Sequence, residues 1–248
     1  MENKNNGDLQ RVKAYWTARA HDFGTVRKNE LHDEISGRWM EEIRARLPAG
    51  DALDILDVGT GTGYFAILLS LRGHRVTGVD LTPAMLEEAR EMAREMGTDP
   101  VFRQMDAQAL EFEDGAFDAV VTRNLTWTLP DPERAYREWF RVLRPGGMLI
   151  NFDADYARNV RNSNQAASRT TASGVYGHIG ITPELSKENA EITLAMPAAA
   201  HDRPGWDMDL ARKIGFVSCG ADPDAGKRIL RERDLSDAPL FLFWAVKG

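Results

Sequence analysis

The sequence predicts an α/β fold: a doubly wound parallel sheet with helices on both faces. Two observations carry that prediction. From Asp51 onward, short apolar runs alternate with longer helical patterns, the alternation that builds strand–helix–strand units. The runs are also apolar without a break, as in FDAVV (117–121), which suits strands covered on both faces.

Ahead of the sheet, residues 8–48 read as two helices, the second within ELHDEISGRWMEEIRARLP. Strands are expected at LDILDV (53–58), HRVTGV (74–79), VFRQM (101–105), FDAVVT (117–122) and GMLINF (147–152). Helices fall between them over 64–73, 83–97 and 132–147. Pro83 suits a first helical position and Gly97 a stop. In the third helix Ala135, Trp139, Val142 and Leu143 mark one face, and RPGG ends it. A stretch rich in Ser, Asn, Thr and Gly, RNVRNSNQAASRTTASGVYGHIG, follows within residues 154–205. Connections that long are usually functional lids or caps. A helix (WDMDLARKIG), a strand (FVSCGA) and a final strand (PLFLFWAV, 239–246) complete the chain. The whole reads as one domain over 1–248, with a helical cover at 8–48 and a cap insertion at 154–205.

Composition excludes several functions. The net charge is −7 and no Lys/Arg block is present, whereas nucleic-acid binding needs a concentrated positive footprint. One cysteine, Cys219, allows neither an intramolecular disulfide nor a cysteine-based zinc site; it reads as a small buried strand residue. The polar start MENKNNGDLQ has no apolar core of a signal peptide, and no uncharged apolar run reaches 18 residues. A soluble cytoplasmic protein, with no membrane partner, is the expectation.

The informative stretch is LDILDVGTGTGYFAILL. A strand ends in Asp57, Gly59, Gly61 and Gly63 follow at alternate positions, and a helix begins. Glycine serves where a chain turns sharply or its backbone must approach a ligand. The spacing differs from the G-x-G-x-x-G of dinucleotide sites because Tyr64 takes the sixth position. Alone, the triplet is equally a tight turn with no ligand. About twenty residues on, the next strand ends in Asp80, whose carboxylate can accept two hydrogen bonds from vicinal ribose hydroxyls. Asp106 follows the third strand, in reach of an exocyclic adenine amine. Each acid could instead cap a helix, yet all three lie at the carboxyl ends of consecutive strands, where open α/β sheets bind ligands.

In ILDVGTGTGYFAILL, VTGVDLTPAMLEEAR, FRQMDAQAL, FDAVVTRNLTWTLPDP and REWFRVLRPGGMLINF the sequence resembles the class I S-adenosylmethionine-dependent methyltransferases of small-molecule type. The resemblance covers about residues 50–153 and resumes over ARKIGFVSCGAD and FLFWAVKG. It implies a Rossmann-like seven-stranded sheet whose last strand is antiparallel, and S-adenosyl-L-methionine as cofactor. It also implies that Gly59 and Gly61 border the methionine part, with Thr60 and Gly63 completing the loop. Asp57 would support that loop and the cofactor amine, and Asp80 would hold the ribose. Leu81 and Met85 would flank the adenine, with Asp106 and Ala107 at its edge. The helix over AYWTARAHDF would close over the cofactor, with Phe23 where relatives often have Tyr.

The acceptor side starts at Asn124 and Trp127, which match the first and fourth positions of the Asn/Asp-Pro-Pro-aromatic motif of amine-methylating relatives; Leu125 and Thr126 replace the prolines. An amide carbonyl at Asn124 can accept from an amine and aim its lone pair at the methyl. The Trp127 face can stabilise a cation by about 0.5–2 kcal/mol. Alternatively Trp127 fills a gap under the cap and Asn124 caps a turn. Asn151 and Asp153 end the fifth strand, with Tyr156 beyond. Tyr176 and His178 lie between glycines in the cap, His178 titrating near neutral pH. Asn124, Trp127, Asn151 and Tyr176 are the candidate catalytic residues. Asp153 has no accompanying second-ligand spacing, and no metal is expected. The expected partner is a small-molecule substrate, in a monomer or homodimer. Two other activities fit the same fold: cyclisation of the cofactor itself to azetidine-2-carboxylate plus methylthioadenosine, and non-catalytic cofactor binding.

Overall fold

A computed structural model describes residues 2–165, 179–231 and 238–248. Two helices, α1 (Glu2–Leu31) and α2 (Ile35–Arg44), precede the sheet. Its strands are β1 (Asp54–Val58), β2 (Arg75–Asp80), β3 (Val101–Gln104), β4 (Phe117–Arg123), β5 (Leu143–Asp153), β6 (Phe216–Asp222) and β7 (Phe241–Lys247). They lie in the order β3-β2-β1-β4-β5-β7-β6. Pairing is parallel from β3 through β5, and β7 runs antiparallel to both its neighbours, the inserted hairpin strand that the resemblance implies. Helices α3 (Tyr64–Ser70), α4 (Pro83–Glu95), α5 (Pro132–Val142), α8 (Gly205–Ile214) and α9 (Ala225–Leu230) connect the strands, and α6 (Tyr156–Gln165) and α7 (Pro183–Ala195) follow β5. Among the described residues no helix is long and apolar enough to cross a membrane.

The unbroken apolar runs have a direct structural cause. Successive side chains on a strand point to opposite faces, and here both faces are covered. Ile55, Ala119, Val121, Ile150 and Leu242 pack into one core with Trp39, Phe65 and Ile229. Their neighbours Leu56, Val120, Leu149 and Phe243 enter a second core with Trp139, Tyr136 and Leu210. Alternating polarity would have put charge into one of these layers.

Two boundaries differ from expectation. The helix expected to reach Gly147 ends at Val142, and Leu143 is already extended (φ −73, ψ 141) and paired with Phe117. Pro145 lacks an N–H and pushes the residue before it out of helical geometry. The strand absorbs the turn residues in a register shift, pairing Leu143 with Phe117 but Met148 with Ala119. The first helix is also longer than expected, Glu2 to Leu31. Arg11 on α1 forms ion pairs with Glu188 and Glu191 on α7, both at 2.5 Å, and Lys28 pairs with Glu95 on α4. Cys219 is a half-buried free thiol on β6.

The end of β5 is tied down by charge. Asp153 is fully buried and accepts from Arg203 Nη1 at 2.9 Å, and Arg203 makes two further bonds to Asp207 at 3.0 and 2.8 Å. Tyr136 donates its hydroxyl to Asp207 at 2.7 Å. Burial raises the Asp153 carboxyl above its ordinary range, with Arg203 opposing the shift. Asp153 therefore serves as one half of a structural ion pair. Removing one partner of a buried ion pair leaves charge stranded at a cost of about 3–5 kcal/mol. Arg203→Met is thus expected to lower the unfolding free energy by about that amount, read as a lower denaturant midpoint at unchanged m-value.

Candidate active site

The sheet order reverses between β1 and β4, and ligands of open α/β sheets bind outside the strand ends at such a switch point. Three glycines shape that edge. Gly59, Gly61 and Gly63 all have left-handed backbones, at φ 66, 54 and 83, which L side chains adopt at a steric cost. The alternation in G-x-G-x-G therefore records a backbone that reverses handedness at every second residue before entering α3. A side chain at Gly59 would also strike Leu125, 2.8 Å from an added Cβ, so the segment after β4 lies against the glycine loop. Phe23 on α1 covers the loop from the other side, 3.7 Å from the position of a Cβ on Gly61.

Asp57 sits beneath this loop. Its Oδ2 accepts from the Thr60 hydroxyl at 2.6 Å and from the Ala66 N–H at 3.0 Å, joining the loop to the first turn of α3. Burial lifts its pKa from the ordinary 3.8 to about 7. Asp80 faces the loop directly: its Oδ2 accepts from the Gly61 N–H at 3.0 Å and its Oδ1 from the Thr82 N–H at 2.8 Å. An ionised carboxylate has about four acceptor positions, so two bonds leave acceptor capacity toward the crevice.

The third acid, Asp106, accepts at Oδ1 from the Gln108 backbone at 2.9 Å and side chain at 3.0 Å. Its loop is clamped by α5. Trp139 Nε1 donates to the Ala107 carbonyl at 3.1 Å, Arg141 donates to the carbonyls of Leu110 and Phe112, and Gln108 accepts from the Asp131 N–H. Met85 is buried on α4 and Leu81 half-buried before it. The structure thus brings Asp57, Gly59, Thr60, Gly61, Gly63, Asp80, Leu81, Met85, Asp106 and Ala107 to one end of the sheet.

At the end of β4, Asn124 has a left-handed backbone, φ 56, a conformation that Asn tolerates better than most residues. Its N–H donates to the Phe152 carbonyl at 2.7 Å, and its Oδ1 accepts from the Tyr156 hydroxyl at 2.9 Å. Trp127 is 7% exposed. It contacts Tyr156 with ring centres 5.1 Å apart and packs with Val12, Tyr15, Ile192 and Met196, joining α1, the 126–128 turn and α7. Asn151 is fully buried; its amide nitrogen donates to Thr126 Oγ1 at 2.9 Å and Tyr136 Oη at 3.1 Å. It therefore braces the turn carrying Trp127 from below. Tyr176 and His178 lie outside the described residues.

Sequence reasoning passed over Tyr156, as partner of Asn124, and Arg123. The Arg123 guanidinium lies 4.1 Å from the Trp39 ring centre and 5.1 Å from that of Tyr64. It donates to Glu30 Oε2 at 3.1 Å, as does Arg27 at 2.5 Å. The available signal was a cation closing an otherwise apolar strand.

The Asp57 shift has a consequence for stability. Between about pH 4 and pH 7 the folded protein holds this proton more tightly than the unfolded chain, so the Asp57 contribution declines as pH rises through that window. Asp57→Asn, with no proton to lose, is expected to gain stability relative to wild type across the same interval, measured by urea unfolding.

Residues 56–151 match the family model described as "Methyltransferase domain". Among curated relatives, the chain is 47% identical over 127 residues to a phosphatidylethanolamine N-methyltransferase of Cereibacter sphaeroides, covering 48% of this chain and 61% of that protein. It is 46% identical over 98 residues to a demethylmenaquinone methyltransferase of Thermus thermophilus, covering 39% and 44%. The matches therefore span less than two thirds of either relative's length. Among solved structures, Haemonchus contortus phosphoethanolamine N-methyltransferase 2 in complex with S-adenosyl-L-methionine superposes with a TM-score of 0.60 at 17% identity, over 86% of this chain and 52% of that one; this likeness concerns the fold. The matched model, the seven-stranded sheet and the glycine loop together identify what the chain carries: a methyltransferase domain of the class I S-adenosylmethionine-dependent type.

Proposed function

We propose that the protein transfers a methyl group from S-adenosylmethionine to a small-molecule acceptor bearing an amine or hydroxyl. The observation that carries this reading is the left-handed glycine loop hydrogen-bonded to Asp80 at the sheet's switch point. The cradle suits the cofactor: its backbone leaves no room for a side chain at Gly59, and Asp80 keeps acceptor positions for ribose hydroxyls. The cofactor supplies a sulfonium-activated methyl carbon, which a nucleophile attacks in line as the C–S bond breaks and its electron pair returns to sulfur.

The chain's task is positioning and exclusion of water. Asp57 holds the loop, Phe23 and Leu125 flank it, and α5 fixes Asp106 and Ala107. Asn124, Trp127 and Tyr156 form the wall beside the loop. In the ligand-free arrangement the Asn124 oxygen accepts from Tyr156, so an acceptor amine would compete for that oxygen. Asn151 acts through Thr126 and is a positioning residue. An amine- or hydroxyl-bearing acceptor accords with relatives whose names specify phosphatidylethanolamine and demethylmenaquinone.

Incubation of the pure protein with S-adenosylmethionine, followed by identification of the nucleoside product, tests this reading. S-adenosylhomocysteine is expected only when an ethanolamine-type amine or a quinol is added. Methylthioadenosine formed without acceptor would overturn methyl transfer in favour of cyclisation. Asp80→Ala is expected to weaken cofactor binding at least tenfold, about 1.4 kcal/mol, by calorimetry.

A further inference from the structure

A cluster of buried charge lies at the inner end of this site. Arg27 is 5% exposed and Glu30 3%, and the Arg123 side chain is 12% exposed. Both guanidiniums donate to the same atom, Glu30 Oε2, so two cations share one carboxylate and one positive charge is left over. Other nearby acids are engaged elsewhere: Asp33 accepts from the Ile35 N–H, and Asp57 from Thr60 and Ala66. Burial and the facing Arg123 both disfavour the Arg27 charge, as expected for a cation short of an anion.

Unused donors converge here. Among the described residues, Arg27 Nε, Arg123 Nε, Thr62 Oγ1 and the Tyr64 hydroxyl are buried without a hydrogen-bond partner. Buried polar groups are nearly always satisfied, and several such donors around surplus positive charge describe an anion site. Its place in the fold says which anion. Thr62 belongs to the glycine loop and Tyr64 follows it. Arg27 lies over Phe23, 4.5 Å from the ring centre, and Phe23 covers Gly61. Arg123 directly precedes Asn124. The cluster therefore adjoins the part of the loop that would border the amino-acid end of the cofactor. A guanidinium matches a carboxylate in geometry and charge.

We propose that Arg27 and Arg123, with the Tyr64 hydroxyl, bind the carboxylate of the cofactor's amino-acid end. This rests on S-adenosylmethionine being the cofactor. Glu30 holds the two guanidiniums together and offsets one charge, leaving a single positive charge for a single carboxylate.

Calorimetry with S-adenosylhomocysteine and methylthioadenosine tests it, because both carry the thioether nucleoside and only the first carries the amino acid. Wild type is expected to prefer S-adenosylhomocysteine. Arg27→Gln and Arg123→Gln should each reduce that preference at least about tenfold while methylthioadenosine binding persists. Tyr64→Phe, which keeps the buried ring, should reduce it by a smaller factor, and it decides the matter if the arginine variants do not fold. Equal weakening of both ligands would make the cluster a structural clamp between α1 and β4. An unchanged preference, or none in wild type, would equally overturn the proposal with the cofactor reading intact. Wild type binding neither ligand would remove the cofactor reading, and this inference with it.

Discussion

The buried carboxylate of Asp57 is the constraint on which the site depends. It takes a hydroxyl from Thr60 and a backbone N–H from Ala66, so one side chain ties the glycine loop to the start of α3. The three left-handed glycines can then present their backbone to the crevice, with the Gly61 N–H reaching Asp80. A carboxylate held so far from water resists ionisation, and the loop's shape is bought at that cost in stability. Backbone strain in this loop and charge burial beneath it are two sides of one device.

Around this loop the protein builds walls from elements distant in sequence. α1 brings Phe23 over Gly61, and the turn after β4 brings Leu125 against Gly59. α5 grips the loop after β3 through Trp139 and Arg141. Beneath the β4 turn, Asn151, Thr126, Tyr136, Asp207, Arg203 and Asp153 form a hydrogen-bonded and ion-paired chain linking β5 and α5 to the segment before α8. Removal of any member leaves another buried and unpaired, which makes the network a demanding way to hold a turn.

Two polar residues at strand ends show how location and role separate. Asn124 and Asn151 both stand at the carboxyl edge and both carry an amide that could face a ligand. Asn124 is half-buried, and its oxygen is held by a single tyrosine. Asn151 is fully enclosed, and its nitrogen is used twice by protein atoms. A strand ladder read from sequence places both residues; which of the two faces a crevice depends on what packs against that strand. Trp127 poses the same question, because its ring lies with α1 and α7, more than 100 and some 60 positions away in the chain.

The strand and helix order, the glycine loop and the three edge acids were legible in the sequence because each rests on local chemistry. Unbroken apolar runs record burial on two faces, glycines at alternate positions record left-handed backbone, and acids at strand ends record an edge. The early end of α5 was also written locally, in Pro145, although Gly146 and Gly147 drew attention to a later stop. Tertiary structure alone decided the electrostatics. That Arg27, Glu30 and Arg123 meet in one buried cluster, and that Asp153 is spent on Arg203, follows from helices and strands brought together over long separations. Sequence spacing carries no record of such meetings, since burial and surplus charge are properties of the packed molecule.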